Sequence, residues 1–209
     1  MVRLVPDWVY FSKRRPAISL IYSVANELGL SGKVVDFSTR LYLILLGKRL
    51  TVGRKREALV GACIYISCMG VNYPIKLVDL CRVLDVSKKE LVRQKRFIKR
   101  HVDSNEQGFS VNAYINRYGF ELGLSVAEVS QALRVFKIIN ESLINHKTSI
   151  IAAVCVYLAC RHKVSLRGLA RLTGLSRSGI FEAYKRVKHL IPATDLLTFN
   201  QSVHFISKS

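Results

Sequence analysis

The side chains best suited to covalent or metal chemistry are spaced so that they cannot act together. The five cysteines are Cys63, Cys68, Cys81, Cys155 and Cys160, and none forms the C-x-x-C half-site of a zinc ribbon. Four of them sit inside apolar runs, which suits buried, reduced thiols better than ligands or disulfides. The five histidines are scattered without ligand spacing. No paired carboxylates, Ser/His/Asp set or Gly-rich phosphate loop appears. The sequence argues against an enzyme, a bound metal and any other cofactor.

What the side chains can do is hold anions. Thirty-three Lys and Arg stand against 14 Asp and Glu, a net charge of +19. A fold with that much self-repulsion calls for a compensating polyanion: DNA, RNA or an anionic membrane surface. Residues 1–104 hold 20 basic and 8 acidic side chains, and residues 105–209 hold 13 and 6, so the charge is not a tail on a neutral domain. No single amphipathic segment gathers it, which speaks against a membrane surface. The longest mainly apolar run, residues 58–71, falls short of the ~18 residues a span needs. The opening residues lack the apolar core of a signal peptide. These features predict a soluble, monomeric, intracellular protein.

Two segments focus the charge chemistry. The first carries Lys88, Lys89, Arg93, Lys95, Arg96, Lys99 and Arg100 on one predicted helix, with Leu91, Ile98 and Val102 as its buried side. Only Glu90 opposes those seven cations, a pattern that points to phosphate or to an acidic protein surface. The second is a helix-turn-helix, with the turn at Thr173-Gly174-Leu175 and Ser176 as the next N-cap. Its second helix, residues 177–191, buries Ile180, Tyr184, Val187 and Ile191 at helical spacing. Arg177, Ser178, Phe181, Glu182 and Lys185 remain exposed near its start, where such motifs meet base edges in the major groove. Arg167 and Arg171 on the preceding helix can reach phosphates.

The elements that must position these side chains come from a duplication. Glu27-Leu28-Gly29-Leu30-Ser31 recurs as Glu121-Leu122-Gly123-Leu124-Ser125, at an offset of 94. Ala62-Cys63-Ile64-Tyr65-Ile66-Ser67-Cys68 recurs as Val154-Cys155-Val156-Tyr157-Leu158-Ala159-Cys160, at 92. Leu80, Val83 and Val86-Ser87 recur as Leu169, Leu172 and Leu175-Ser176, at 89. Three ordered matches with a shrinking offset mark one unit used twice, with small loop deletions. Each unit reads as five helices, so the fold class is all-α. In the first unit the helices are expected near residues 17–29, 31–50, 55–69, 75–83 and 87–101. Gly29 serves as a C-cap, Ser31 as an N-cap, and both Ser87-x-x-Glu90 and Ser125-x-x-Glu128 read as capping boxes. The third helix is apolar nearly all round, as a central helix must be, and its small residues let neighbours approach. The domains expected are residues 17–103 and 109–191, joined by polar residues 104–108. They are preceded by a basic, aromatic segment at 1–16 and followed by an apolar tail at 192–209.

Several of these stretches resemble a known family. Gly53-Arg54-x-x-Glu57-Ala58-Leu59, with Ala62-Cys63-Ile64-Tyr65 and Cys68, is similar to the third helix of the first cyclin-type repeat of transcription factor IIB and archaeal transcription factor B. Glu121-Leu122-Gly123-Leu124, Lys147, Ala152-Ala153, Tyr157-Leu158-Ala159, Leu169-Ala170, Gly174-Leu175-Ser176, Ile180 and Tyr184-Lys185 are similar to the second. The resemblance spans residues 16–191. It implies two tandem five-helix cyclin-like domains, the second ending in the helix-turn-helix. The partners it implies are double-stranded promoter DNA, TATA-binding protein and RNA polymerase, in an archaeal cytoplasm, a virus-infected host cell or a eukaryotic nucleus. It places phosphate contacts at Arg54, Lys55, Arg56 and Lys147, where a helix N-terminus also favours anions. The base-reading positions fall on Ser178 and Phe181. The family usually has arginine at Phe181; phenylalanine offers apolar contact, for example to a thymine methyl, in place of the guanine pairing. The family's zinc ribbon has no counterpart in residues 1–16, so both a minimal initiation factor and a regulator of initiation fit. A cyclin that regulates a kinase would share the fold, but the lysine–glutamate pair expected on helices three and five is not found.

Overall fold

A helix apolar on every side can only lie among other helices, and each half of the chain contains one. The computed structural model describes residues 7–102, 108–143 and 145–190, with side chains from Ser12 onward. The tail at 192–209, residues 1–6, Ile191 and most of the linker lie outside the described residues. The described chain is all-helical, with ten α-helices and one short 3-10 turn. It divides at Gly108/Phe109 into two compact units.

The first unit comprises α1 (Asp7–Glu27), α2 (Gly32–Gly47), α3 (Arg56–Gly70), α4 (Leu77–Val83) and α5 (Lys88–His101). Helix α3 packs against all four others and buries Ala58 through Ile64, Tyr65 excepted, with the run resuming at Ile66–Cys68. Gly61 shows why small residues matter here. A Cβ on it would lie 2.7 Å from Leu84 Cδ1 and 3.2 Å from Leu91 Cδ1.

The second unit comprises α6 (Val111–Glu121), α7 (Val126–Ile139), the 3-10 turn Asn140–Leu143, α8 (Thr148–Cys160), α9 (Leu166–Thr173) and α10 (Arg177–Val187). Here α8 is central, touching α6, α7, α9 and α10. The repeated cysteines Cys63, Cys68, Cys155 and Cys160 are buried on the two central helices and outside any disulfide, while Cys81 is partly exposed. Burial pushes the Cys155 thiol up to about 12, so these thiols stay protonated and act as small apolar side chains.

The duplicated Glu-Leu-Gly-Leu-Ser segments build the same stop and restart. Gly29 and Gly123 take φ of +61° and +64°. Leu30 N donates to Ala25 O and Gly29 N to Asn26 O; Leu124 N donates to Gly119 O and Gly123 N to Phe120 O. This is the two-bond Schellman closure, followed at once by the serine N-cap.

Three local expectations change. Helix α1 starts at Asp7 and not near Ala17, and runs through Pro16. Among the residues whose side chains are described, the buried stripe of α1 is Ala17, Ile21, Val24 and Ala25, the part that apolar periodicity marks. Helix α2 ends at Gly47 although the apolar pattern continues to Leu50. Arg49 turns to φ +57°, and Leu50 N folds back onto Leu45 O at 2.8 Å, so Leu50 stays near the helix without being in it. Ser31 has the extended N-cap backbone but makes no side-chain cap bond, whereas Ser87 accepts from Glu90 N. Only Ser125–Glu128 forms the full reciprocal capping box among the described helices.

Candidate nucleic-acid interface

In the first unit the cations of α5 sort by helical angle. Lys89, Arg93, Arg96 and Arg100 recur at four, seven and eleven residues and share one face with Lys88. With Arg54 they line a groove of about 910 Å³ whose apolar wall is Val92 and Phe97. Lys95 is turned the other way. Its Nζ lies 4.8 Å from the centre of the Tyr65 ring and 3.3 Å from Met69 Sδ. Burial, then the neighbouring Lys99 charge, hold its pKa below the usual lysine value.

The start of α3 meets this groove. The Arg54 guanidinium lies 3.3 Å from the centre of the Phe97 ring, and its Nη1 donates to Gln94 Oε1 at 3.0 Å. Gln94 is buried between Leu91 and Ile98 on the inner side of α5. The His101 ring lies against Phe97 as well, at 4.3 Å between centroids. Lys55, the N-cap residue of α3, donates from Nζ to Asp85 O at 3.3 Å, and Arg56 pairs with Glu57 at 3.1 Å. Arg54 is thus a fixed cationic floor, while Lys88, Lys89 and Arg93 are exposed along the rim. The Arg54–Gln94–Phe97 cluster is not evident from the cation pattern. Its one sequence signal is a glutamine at a position that helical spacing assigns to the core.

Both units build a helix-turn-helix. In the first, α4 closes at Asp85, with φ +48°, and Ser87 caps α5. In the second, α9 closes at Gly174, with φ +70°. Thr173 Oγ1 donates to Leu169 O at 2.7 Å and accepts from Leu175 N at 3.3 Å. Ser176 then caps α10 by accepting from Gly179 N at 3.1 Å. Helix α10 buries Ile180, Ala183 and Val187, and Tyr184 is half-buried. Arg177, Ser178, Phe181, Glu182 and Lys185 are exposed, as are Arg167 and Arg171 on α9 and Lys147 at the start of α8.

Phe181 is held by two neighbours on its own helix. Its ring stacks on Tyr184 at 6.2 Å and 26°, and Tyr184 meets Tyr157 of α8 edge-on at 5.3 Å. Lys185 Nζ sits 4.7 Å from the centre of the Phe181 ring and 3.4 Å from Glu182 Oε1. Phe181 is still 39% exposed, so it is braced by the core without joining it. Among the described residues no cluster of three His, Cys, Asp or Glu could hold a metal ion, and no helix is long and apolar enough to cross a membrane.

Residues 14–101 match the family described as Transcription factor TFIIB repeat. The chain is 33% identical over 123 residues to Transcription initiation factor IIB 1 of Thermococcus kodakarensis, covering 58% of this chain and 41% of that protein. It is 27% identical over 192 residues to Transcription initiation factor IIB of Oryza sativa subsp. japonica, covering 85% and 62%. Transcription initiation factor IIB 2 of T. kodakarensis is 28% identical over 179 residues, covering 82% and 58%. The chain therefore spans between about two fifths and three fifths of the length of these curated relatives. A chain of the solved structure titled "Structure of the CAK complex form Chaetomium thermophilum bound to ATP-gamma-S" aligns at TM-score 0.40 and 12% identity, covering 96% of this chain and 70% of that one, too loosely to argue from.

Proposed function

We propose that the chain, which matches the Transcription factor TFIIB repeat over residues 14–101 and is similar to transcription initiation factors IIB, works in transcription initiation by holding duplex promoter DNA together with TATA-binding protein. The observation that carries this reading is the row of five cations on one face of α5, lining a groove with Arg54 at its floor. Such a row meets a regularly spaced run of anions. Phe97 is covered by the Arg54 guanidinium, 3.3 Å from its ring centre, and touched by the tilted His101 ring. With Arg54 over its ring, Phe97 is a poor platform for the base stacking by which single-stranded nucleic acid binds. Duplex phosphates and an acidic protein surface are what fit.

In the second unit, Arg167, Arg171, Lys147 and Arg177 supply the phosphate contacts and α10 enters the major groove. The relatives are initiation factors, which does not favour a kinase-regulating role. RNA polymerase is the further partner this reading implies. Adding the protein to a reconstituted initiation reaction separates a factor that supports transcription from a regulator that blocks it.

The direct test is a gel-shift titration on a TATA-containing duplex, with and without TATA-binding protein. If about six phosphates are contacted, affinity should fall roughly a thousandfold between about 50 and 200 mM salt. TATA-binding protein should strengthen the complex. A flat salt response removes the DNA-binding reading, and absence of cooperativity with any compatible TATA-binding protein removes the family role.

A further inference from the structure

The outward face of α10 carries Ser178, Phe181, Glu182 and Lys185. Their spacing of zero, three, four and seven is the spacing of the base-contacting positions on a homeodomain recognition helix. Three of the four suit a protein that approaches a polyanion; Glu182 does not. At the offset of 89 that superimposes the two helix-turn-helix sequences, Glu182 stands where the first unit has Arg93, and Lys185 where it has Arg96. The equivalence holds in the structure, since the pairs Leu91/Ile180, Gln94/Ala183 and Ile98/Val187 at the same offset are all buried. One copy therefore presents a guanidinium and the other a carboxylate at the same point of the same motif.

Local stability does not account for that reversal. Glu182 is the sixth residue of α10, beyond the first turn where a carboxylate gains from the helix dipole. Its pair with Lys185 leaves the two side chains 64% and 51% exposed, and exposed pairs of this kind contribute little. A carboxylate on a face that meets phosphates weakens every complex unless it finds a donor in the groove. The major-groove donor that carboxylates take is the cytosine amino group, and lysine takes guanine O6 and N7. In a C·G pair the amino group and O6 are hydrogen-bonded to each other, about 2.9 Å apart. Glu182 Oε1 and Lys185 Nζ are 3.4 Å apart, acceptor beside donor, which matches that edge.

We propose that Glu182 and Lys185 act as one specificity-determining unit that reads a single C·G base pair. Phe181 is then a positioning residue. Its ring lies beneath the Lys185 ammonium and is itself braced through Tyr184 to Tyr157 on the central helix. The cation is thereby held off the phosphates and beside the carboxylate. This inference rests on the proposal that the second unit binds duplex DNA.

The test selects bound duplexes from a randomised pool with the full chain, and then measures affinity on duplexes changed at each position in turn. Wild type should prefer C·G at one position by roughly ten- to a hundredfold. Glu182→Gln should move that preference to an A·T pair, because glutamine reads adenine N6 and N7. Lys185→Met should lose discrimination at the same position. Phe181→Leu should blur the preference at that position. All three side chains are exposed, and equal melting temperatures check that each variant folds. If Glu182→Gln strengthens binding equally on every duplex, the carboxylate only repels phosphate and the inference falls. If no duplex binds in a salt-dependent way, the DNA-binding reading fails and takes this inference with it.

Discussion

Glu128 shows how a residue placed by a local rule acquires a second role that the rule does not reveal. Its spacing from Ser125 identifies a capping box, and the box forms: Glu128 Oε2 accepts from Ser125 N at 2.8 Å, and Ser125 Oγ accepts from Glu128 N at 3.3 Å. The same carboxylate also receives Lys163 Nζ at 2.6 Å and has His162 Nε2 at 3.7 Å. It therefore ties the start of α7 to the turn after α8, 35 residues later in sequence (163 − 128). Local spacing exposes the first bond and not the second, because nothing in residues 125–128 reports where the end of another helix will pack. Burial alone would raise the Glu128 pKa. The bonds from Lys163 and Ser125 outweigh it and hold the group below its ordinary 4.5. With the folded value depressed, the ionised carboxylate stabilises the second unit above about pH 4.5, and that contribution is lost as pH falls through the lowered value. Glu128→Ala is expected to destabilise the unit by about 1–2 kcal/mol at pH 7. Thermal melts of both proteins should converge as the pH falls through that lowered value. A difference that stays constant through acid would mean the loss is packing alone.

At the scale of the element, the two helix-turn-helix motifs differ at the residue that makes the corner. Both corners need a left-handed backbone; the first unit supplies it with Asp85 and the second with Gly174. Glycine adopts that conformation without strain, whereas a side chain there costs roughly 1–2 kcal/mol. Gly174→Ala should lower the stability of the second unit by about that much, and Asp85→Gly should leave the first unit unchanged or slightly more stable. Urea denaturation followed by circular dichroism checks both. An unchanged Gly174→Ala midpoint would show that the corner relaxes to another conformation. The glycine corner is legible in the sequence and the aspartate corner much less so, because aspartate is only an occasional left-handed residue. The same asymmetry of signal explains α1. Pro16 lacks an amide hydrogen and reads as a boundary, yet the helix passes through it with the proline on the exposed side. The stripe from Ala17 to Ala25 is visible in the periodicity, and the helix start at Asp7 is not. Gln94 is a third case. Helical spacing puts it inside, but its meaning emerges only when Arg54, 40 residues earlier, arrives above Phe97 and hydrogen-bonds to it.

For the molecule as a whole, duplication made the architecture legible, since each matched segment predicts its counterpart's place in a second five-helix unit. What duplication conceals is divergence of use. The face that is Lys89, Val92, Arg93 and Arg96 in the first unit is Ser178, Phe181, Glu182 and Lys185 in the second. One face is cationic apart from Val92 and fits any phosphate backbone. The other mixes a hydroxyl, a ring, a carboxylate and a cation, and fits base edges. The two copies should therefore separate affinity from preference within one chain. In the whole chain, Lys88→Ala combined with Arg93→Ala should weaken binding on every duplex alike and reduce the slope of log affinity against log salt by roughly two, about 0.9 for each phosphate released. Base preference should not change. These two cations lie on the rim of the groove, away from the buried Leu91 and Ile98 of α5, so the variant should keep its fold. Salt titrations on a selected and a scrambled duplex supply the measurement. If the slope is unchanged on DNA alone but the gain from TATA-binding protein is lost, the α5 groove faces an acidic protein surface. The phosphate contacts of the first unit would then have to come from the start of α3.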